Sequence, residues 1–392
     1  MQRGKALAEM AAPLVLDYRR GLMNDDGSGP VGWRQRARAA WFSVGLAIAC
    51  TAMFLATVGV CAGSSETPVS VARESLIGLA SCKATLEQLG ALSVARVWVD
   101  GEWWRVATTG LLHGSWIHLI LNIWSLWSVG EWCERAWGAA RTAGLFVAGS
   151  LCGALASMAW AEAPMVVGAS AGVLALAAAL LVGRMFGPPE TQARLAPVSP
   201  TALVITLVLM FAIGLVVPVI AQAGHVGGFV AGIAAWWAGS QRGWMRGAVA
   251  MVLALGVNEL VHIAARPDGR PRYHEFVGYR EIDRGDPVAA GAAFVAALEA
   301  GPVGAEPSNG VAYGLSLAGV RLAEADALVD VALAEAPGNP SYLDTKGWIA
   351  CRAGHSETGL ALLEAARAED EAGATDEILG HIRDCGAAAV GP

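Results

Sequence analysis

Between Trp41 and Ala265 the chain is a succession of apolar runs with arginines in the gaps, and nothing else in it constrains the fold as strongly. A helix needs roughly 20 apolar residues to cross the hydrocarbon core of a bilayer. Residues 41–63 reach that length, and further runs follow at 116–132, 142–160, 165–186, 201–220 and 223–238. Composition agrees: 55% of the 392 residues are hydrophobic and 16% charged, where a soluble domain carries about a quarter charged residues. Arg34, Arg36 and Arg38 precede the first run, and Arg135 with Arg141, Arg184 with Arg194, and Arg242 with Arg246 follow alternate runs. By the positive-inside rule the N-terminus is then cytoplasmic and the long connection 64–114 lies outside. The expected organisation is a cytoplasmic segment 1–40, a six-helix membrane core 41–246, a seventh helix 247–265 and a soluble helical domain 266–392. Residues 1–40 show no short apolar core with a small-residue cleavage site, so no removable signal peptide is read there. The seventh run is interrupted by Asn258, Glu259 and His262. It either spans or lies along the surface. If it spans, residues 266–392 are outside, and Arg266, Arg270 and Arg272 break the charge rule. Glu259 and His262 would then pair on one helix face.

Two stretches carry polar residues with no apolar reason to be there: Ser170 in MVVGASAGVLAL (165–176) and His225 in GHVGGFVAG (224–232). An ionisable residue inside a membrane is a functional hypothesis by default. Gly168 and Gly172 are four apart, as are Gly224, Gly228 and Gly232, the small-residue spacing that lets two membrane helices approach closely. Packing through those faces would bring Ser170 to His225. On another run His118 and Asn122, also four apart, share one helix face. A serine nucleophile needs a base for its proton and donors for the developing oxyanion. His225 can supply the first, and His118, Asn122 and the Ser170 backbone N–H the second. The spanning runs offer no aspartate to orient the histidine, so the expected catalytic unit is a Ser–His dyad.

Together these residues resemble the rhomboid intramembrane serine proteases, over residues 102 to 238. Glu102-Trp103-Trp104-Arg105 with Thr109 and His113 is similar to the family's interfacial loop. His118 and Asn122 fit its HxxxN helix, Gly130, Glu134 and Gly138 its G…E…G, Gly168-Ala169-Ser170 its GxS, and His225-Val226-Gly227-Gly228 with Gly232 its histidine helix. The resemblance implies an all-α, polytopic helical bundle that hydrolyses a peptide bond in or near the transmembrane segment of another membrane protein. Ser170 and His225 would be catalytic, and His118 and Asn122 would stabilise the oxyanion. Gly168, Gly172, Gly228, Arg105 and Glu134 would give structural support, Arg105 by tying down the outer loop and Glu134 by holding Arg135, Arg141 or a backbone group. His113 reads as a loop histidine bonded to backbone. Two positions depart from the family: Ala171 where glycine often follows the serine, and Leu174 where an aromatic commonly stacks on the histidine. The alternative is a non-catalytic relative that binds transmembrane helices as a scaffold.

From Arg266 onward the chain is rich in Ala, Glu, Asp and Arg, with helix pairs expected to turn at Gly285-Asp286-Pro287, Gly319-Val320 and Gly354-His355. That period of roughly 34 residues is the tetratricopeptide one, and the unit from Asn339, with Gly347, Trp348 and Gly354, resembles such a repeat. A helix from Thr375 to Arg383 would cap the stack. The partners implied are transmembrane substrates, a protein bound by the repeats, and membrane lipid. The net charge of −7 and the lack of a basic patch with interleaved aromatics give no sign of nucleic acid. The 7 cysteines show no metal-ligand spacing, and neither a metal nor an organic cofactor is expected. Cys61 and Cys82 share one inter-helix connection and could pair if it is extracytoplasmic, while Cys50, Cys133 and Cys152 read as small buried hydrophobes. The composition suits a multi-pass protein of a bacterial inner membrane.

Overall fold

The first apolar run becomes one continuous helix, α1 (Trp41–Ser64), in a computed structural model that describes residues 40–64, 68–78, 82–160, 165–216, 222–370 and 376–390. The segment expected to be cytoplasmic lies outside the described residues except for Ala40. Helix α1 begins where a distant carboxylate meets its free N–H groups, which have no partner inside a helix. Glu134 accepts from the backbone N–H of Phe42 (3.1 Å) and Ser43 (2.9 Å) and from the Ser43 hydroxyl (2.6 Å). Of the partners expected for Glu134, the backbone is the one the structure shows, and Arg135 pairs with Glu131 instead, at 2.6 Å. A Cβ on Gly130 would lie 2.2 Å from the Ser43 hydroxyl oxygen, so the glycine lets the two helices close.

The connection after α1 is built, not open. It holds α2 (Pro68–Glu74), α3 (Lys83–Gln88), a two-residue strand β1 (Leu92–Ser93), α4 (Val94–Asp100) and α5 (Arg105–Thr108). A disulfide between Cys61 and Cys82 fastens the end of α1 to the start of α3. Arg105, 4% exposed, binds Glu102 (2.6 Å) and the carbonyls of Ala91 (3.0 Å) and Glu87, and its guanidinium lies over the Trp104 ring. The bundle continues through α6 (Trp116–Trp137) and α7 (Ala139–Trp160), then β2 (Met165–Val166), antiparallel to β1. It ends with α8 (Ser170–Phe186), α9 (Pro189–Arg194), α10 (Pro200–Val216), α11 (Gln222–Ser240) and α12 (Gly243–Ala265). Among the described residues three helices are each long and apolar enough to cross a membrane: α1, α7 and α12. The run 165–186 is not helical throughout, because residues 165–169 form β2 and a turn in which Gly168 takes φ +125. On α12, Asn258, Glu259 and His262 are all exposed; among the described residues no ion pair joins Glu259 to His262, against the expected pairing.

The chain divides into two units, Met1–Ala265 and Arg266–Pro392. The second is three antiparallel helix hairpins, α13 (Pro271–Asp283) with α14 (Pro287–Glu299), α15 (Ala305–Ala318) with α16 (Leu322–Glu335), and α17 (Pro340–Arg352) with α18 (Ser356–Glu369). Gly285, Gly319 and Gly354 take positive φ at the three turns, a conformation glycine reaches without a Cβ penalty. A last helix, α19 (Asp376–Val390), is clamped to the stack. His381 meets Asp344 at 2.9 Å and stacks on Trp348, and Cys385 is bonded to Cys351.

Candidate active site

Three long helices of the first unit start at one end of the bundle, and each brings a polar side chain there. Ser170 is the first residue of α8, His225 the fourth of α11 and His118 the third of α6. Ser170 Oγ and His225 Nε2 are 2.8 Å apart. With the ring proton on Nδ1, Nε2 can accept the hydroxyl proton. Among the described residues Nδ1 has no hydrogen-bond partner, so no acid orients the ring.

Backbone contact at glycine positions holds this pair in register. A Cβ on Gly228 would lie 2.2 Å from the carbonyl oxygen of Ala171, and one on Gly232 2.3 Å from that of Ala175. Helices α8 and α11 therefore touch backbone to backbone, one and two turns along from the dyad. Gly224 and Gly153 do the same between α11 and α7. The expected role of Gly168 and Gly172 as the matching stripe on the serine helix is corrected. Gly172 faces α7, where a Cβ would meet Phe146 and Ser150 at 2.5 Å, and Gly168 precedes the helix altogether. Ala171 and Ala175 form the face that meets the histidine helix. Spacing alone cannot tell which neighbour a small-residue stripe will meet, because the stripe looks the same for each.

Gly168 does something else. A Cβ there would lie 2.8 Å from two atoms of the His118 ring, with Ser170 Oγ 3.9 Å away, so the missing side chain is what lets His118 lie against the turn that leads into Ser170. The turn is tied to the interfacial connection by the Gly168 N–H donating to the Thr109 carbonyl (3.1 Å) and the Thr109 hydroxyl donating to that of Val166 (2.6 Å). Asn122, 7% exposed, donates one amide hydrogen to the carbonyl of His118 at 2.9 Å, leaving its second available. His113 is fully buried and meets the His118 ring edge-on, with centroids 5.1 Å apart. The backbone group its ring nitrogens approach is that of Leu111, short of a well-formed hydrogen bond. Leu174 is buried and lines an apolar cleft of about 870 Å³ between α6, α8 and α10, together with Ile120, Trp124, Val173, Leu203 and Leu207. Sequence reasoning missed that cleft, since its walls come from three separate apolar runs with no polar marker.

Residues 100–242 match the rhomboid domain. The match takes in every residue of the site described above and stops short of α1, α12 and the second unit. The rhomboid protease GluP of Bacillus subtilis is 30% identical over 148 residues, 38% of this chain and 28% of that protein. RHOMBOID-like protein 5 of Arabidopsis thaliana is 35% identical over 153 residues, 38% of this chain and 47% of that protein. Inactive RHOMBOID-like protein 8 of the same plant is 29% identical over 136 residues, 31% of this chain and 38% of that protein. The chain thus spans less than half the length of each of these relatives. With its apolar helices and its match to the rhomboid domain, it is an integral membrane protein.

Proposed function

We propose that the chain is an intramembrane serine endopeptidase that cuts a peptide bond in or near the transmembrane segment of another membrane protein. The observation that carries this is the 2.8 Å approach of Ser170 Oγ to His225 Nε2 at a shared helix end. Ser170 attacks the scissile carbonyl as His225 takes its proton. The tetrahedral oxyanion meets the Ser170 N–H, a first-turn donor that the helix itself does not use. His118 and the second amide hydrogen of Asn122 assist it. His225 then protonates the leaving amine, and water activated by the same nitrogen releases the acyl group. With no acid behind the ring, the close contact of α11 with α8 must orient it. These steps call for no metal and no organic cofactor. The apolar cleft beside α8 suits a membrane-embedded segment, which must unwind locally because a helix hides its carbonyls. The three hairpins of the second unit, starting at Pro271, Ala305 and Pro340, fit a tetratricopeptide-like stack that binds protein.

A second reading, a non-catalytic scaffold for transmembrane helices, draws on the relative named inactive and on the unsupported Nδ1 of His225. The test is cleavage of generic transmembrane substrates by purified protein in liposomes. Cleavage by the native chain that falls at least about 10,000-fold in both Ser170→Ala and His225→Ala supports the dyad. Cleavage that persists in either variant moves the chemistry elsewhere. Silence of the native chain across several substrates, and of a Leu174→Tyr variant that restores an aromatic, leaves the scaffold.

A further inference from the structure

We infer that residues 266–392 lie on the extracytoplasmic side of the membrane, the side at which the helices bearing Ser170 and His225 begin, and that Cys351–Cys385 is closed there. Helix α11 starts beside the dyad and ends at Ser240, and α12 starts at Gly243 after two connecting residues, with Gly243 at φ +58. So short a connection makes the two helices antiparallel neighbours, and α12 returns toward the dyad end. Its arrival there is fixed by one bond. The indole N–H of Trp98, on α4, donates to the carbonyl of Ala264 at 2.7 Å. Helix α4 belongs to the connection that Arg105 and the Cys61–Cys82 disulfide secure at that same end.

Helix α12 also has the dimensions and surface of a span. Its 23 residues extend about 34 Å at 1.5 Å each, against a hydrocarbon core of about 30 Å. It buries almost nothing: Met251, Val252 and Leu255 are each more than 60% exposed, an outward face suited to lipid. Glu259 and His262 fall in its last two turns, close to the level where polar groups reach the interface.

Cysteine usage is a separate observation. Disulfides persist in oxidising compartments and are rare in the cytosol. The three free cysteines, Cys50, Cys133 and Cys152, all lie inside bundle helices, and the other four are paired. Each pair forms when its two thiols give up two protons and two electrons to a disulfide-bearing oxidant of that compartment, which leaves as a dithiol. Arg266, Arg270 and Arg272 do not oppose this placement, because long domains translocate largely regardless of charge. The partner of the hairpins is accordingly an extracytoplasmic stretch of polypeptide.

The test reads side of membrane, not proteolysis, so its outcome is separate from that of the dyad. The full chain is expressed in the inner membrane of a bacterial host, and intact spheroplasts are treated with an impermeant maleimide-polyethylene glycol, scored by gel shift. Glu299→Cys, at the exposed last residue of α14, is expected to react in intact cells. Glu190→Cys, on exposed α9 at the opposite end of the bundle, is expected to react only after permeabilisation. Cys351 and Cys385 are expected to stay unreactive until reduced. Glu335→Cys replaces Glu299→Cys if that variant fails to accumulate. A residue-299 or residue-335 cysteine protected until permeabilisation overturns the inference, as does alkylation of Cys351 or Cys385 without reductant.

Discussion

Gly168 shows how much one absent side chain does at this site. It takes φ +125 and leaves the space into which the His118 ring fits. Gly168→Ala both strains the backbone and displaces that ring, and a misplacement of about 1 Å can cost about 100-fold in rate. The expected result is a fall in kcat of about 10- to 100-fold with KM little changed, read in the liposome cleavage assay; an unchanged kcat would remove His118 from the oxyanion role. That Ser170 and His225 would meet is legible in the sequence, because each is polar within an apolar run and the histidine is flanked by glycines at helical spacing that do pack on the serine helix. That Gly168 precedes the helix is not, since the run 165–186 is apolar from its first residue.

At the scale of helices, the α8–α11 contact is the element that sets the dyad. Gly228→Val would force a side chain into the Ala171 carbonyl, and overpacking of this kind costs about 3 kcal/mol. Lower thermal stability and loss of cleavage together are the expected outcome, whereas Gly144→Val on α7, where a Cβ meets nothing within 4 Å, should alter neither. The interfacial connection is the second such element. Arg105→Ala removes the charged donor shared by the carbonyls of Glu87 and Ala91, which keep the backbone N–H groups of Gly90 and Ser93, at about 1.5–3 kcal/mol for a hydrogen bond to a charged group. Faster hydrogen exchange across residues 83–108 is the expected sign, with the dyad distance untouched.

At the scale of the whole molecule, long-range ties decide what the local sequence leaves open. Glu134 caps α1 from α6 and so fastens a helix outside the rhomboid match to one within it. Glu134→Ala strands the N–H groups of Phe42 and Ser43, and a loss of about 3 kcal/mol should appear as a lower unfolding midpoint in detergent. In the second unit Cys351→Ser frees α19, and removing a disulfide costs about 2–4 kcal/mol. Exchange of amides in residues 376–390 should rise sharply; protection equal to that of the native chain would show that the His381 clamp suffices alone.

By itself the sequence determined the all-α membrane character and the hairpin turns at Gly285, Gly319 and Gly354, and it marked Ser170, His225, His118 and Asn122 as candidates. Each of those rests on local physics: the length of an apolar run, the backbone freedom of glycine, and the cost of a polar group in hydrocarbon. Only the tertiary structure decided that Ala171 and Ala175, not Gly172, face the histidine helix, that Glu134 caps α1, that Cys351 pairs with Cys385, and that a cleft opens between α6, α8 and α10. These are contacts between segments distant in the chain. A periodic pattern states which face of a helix is small, polar or apolar, but the neighbour it meets is chosen by the packing of all the helices together.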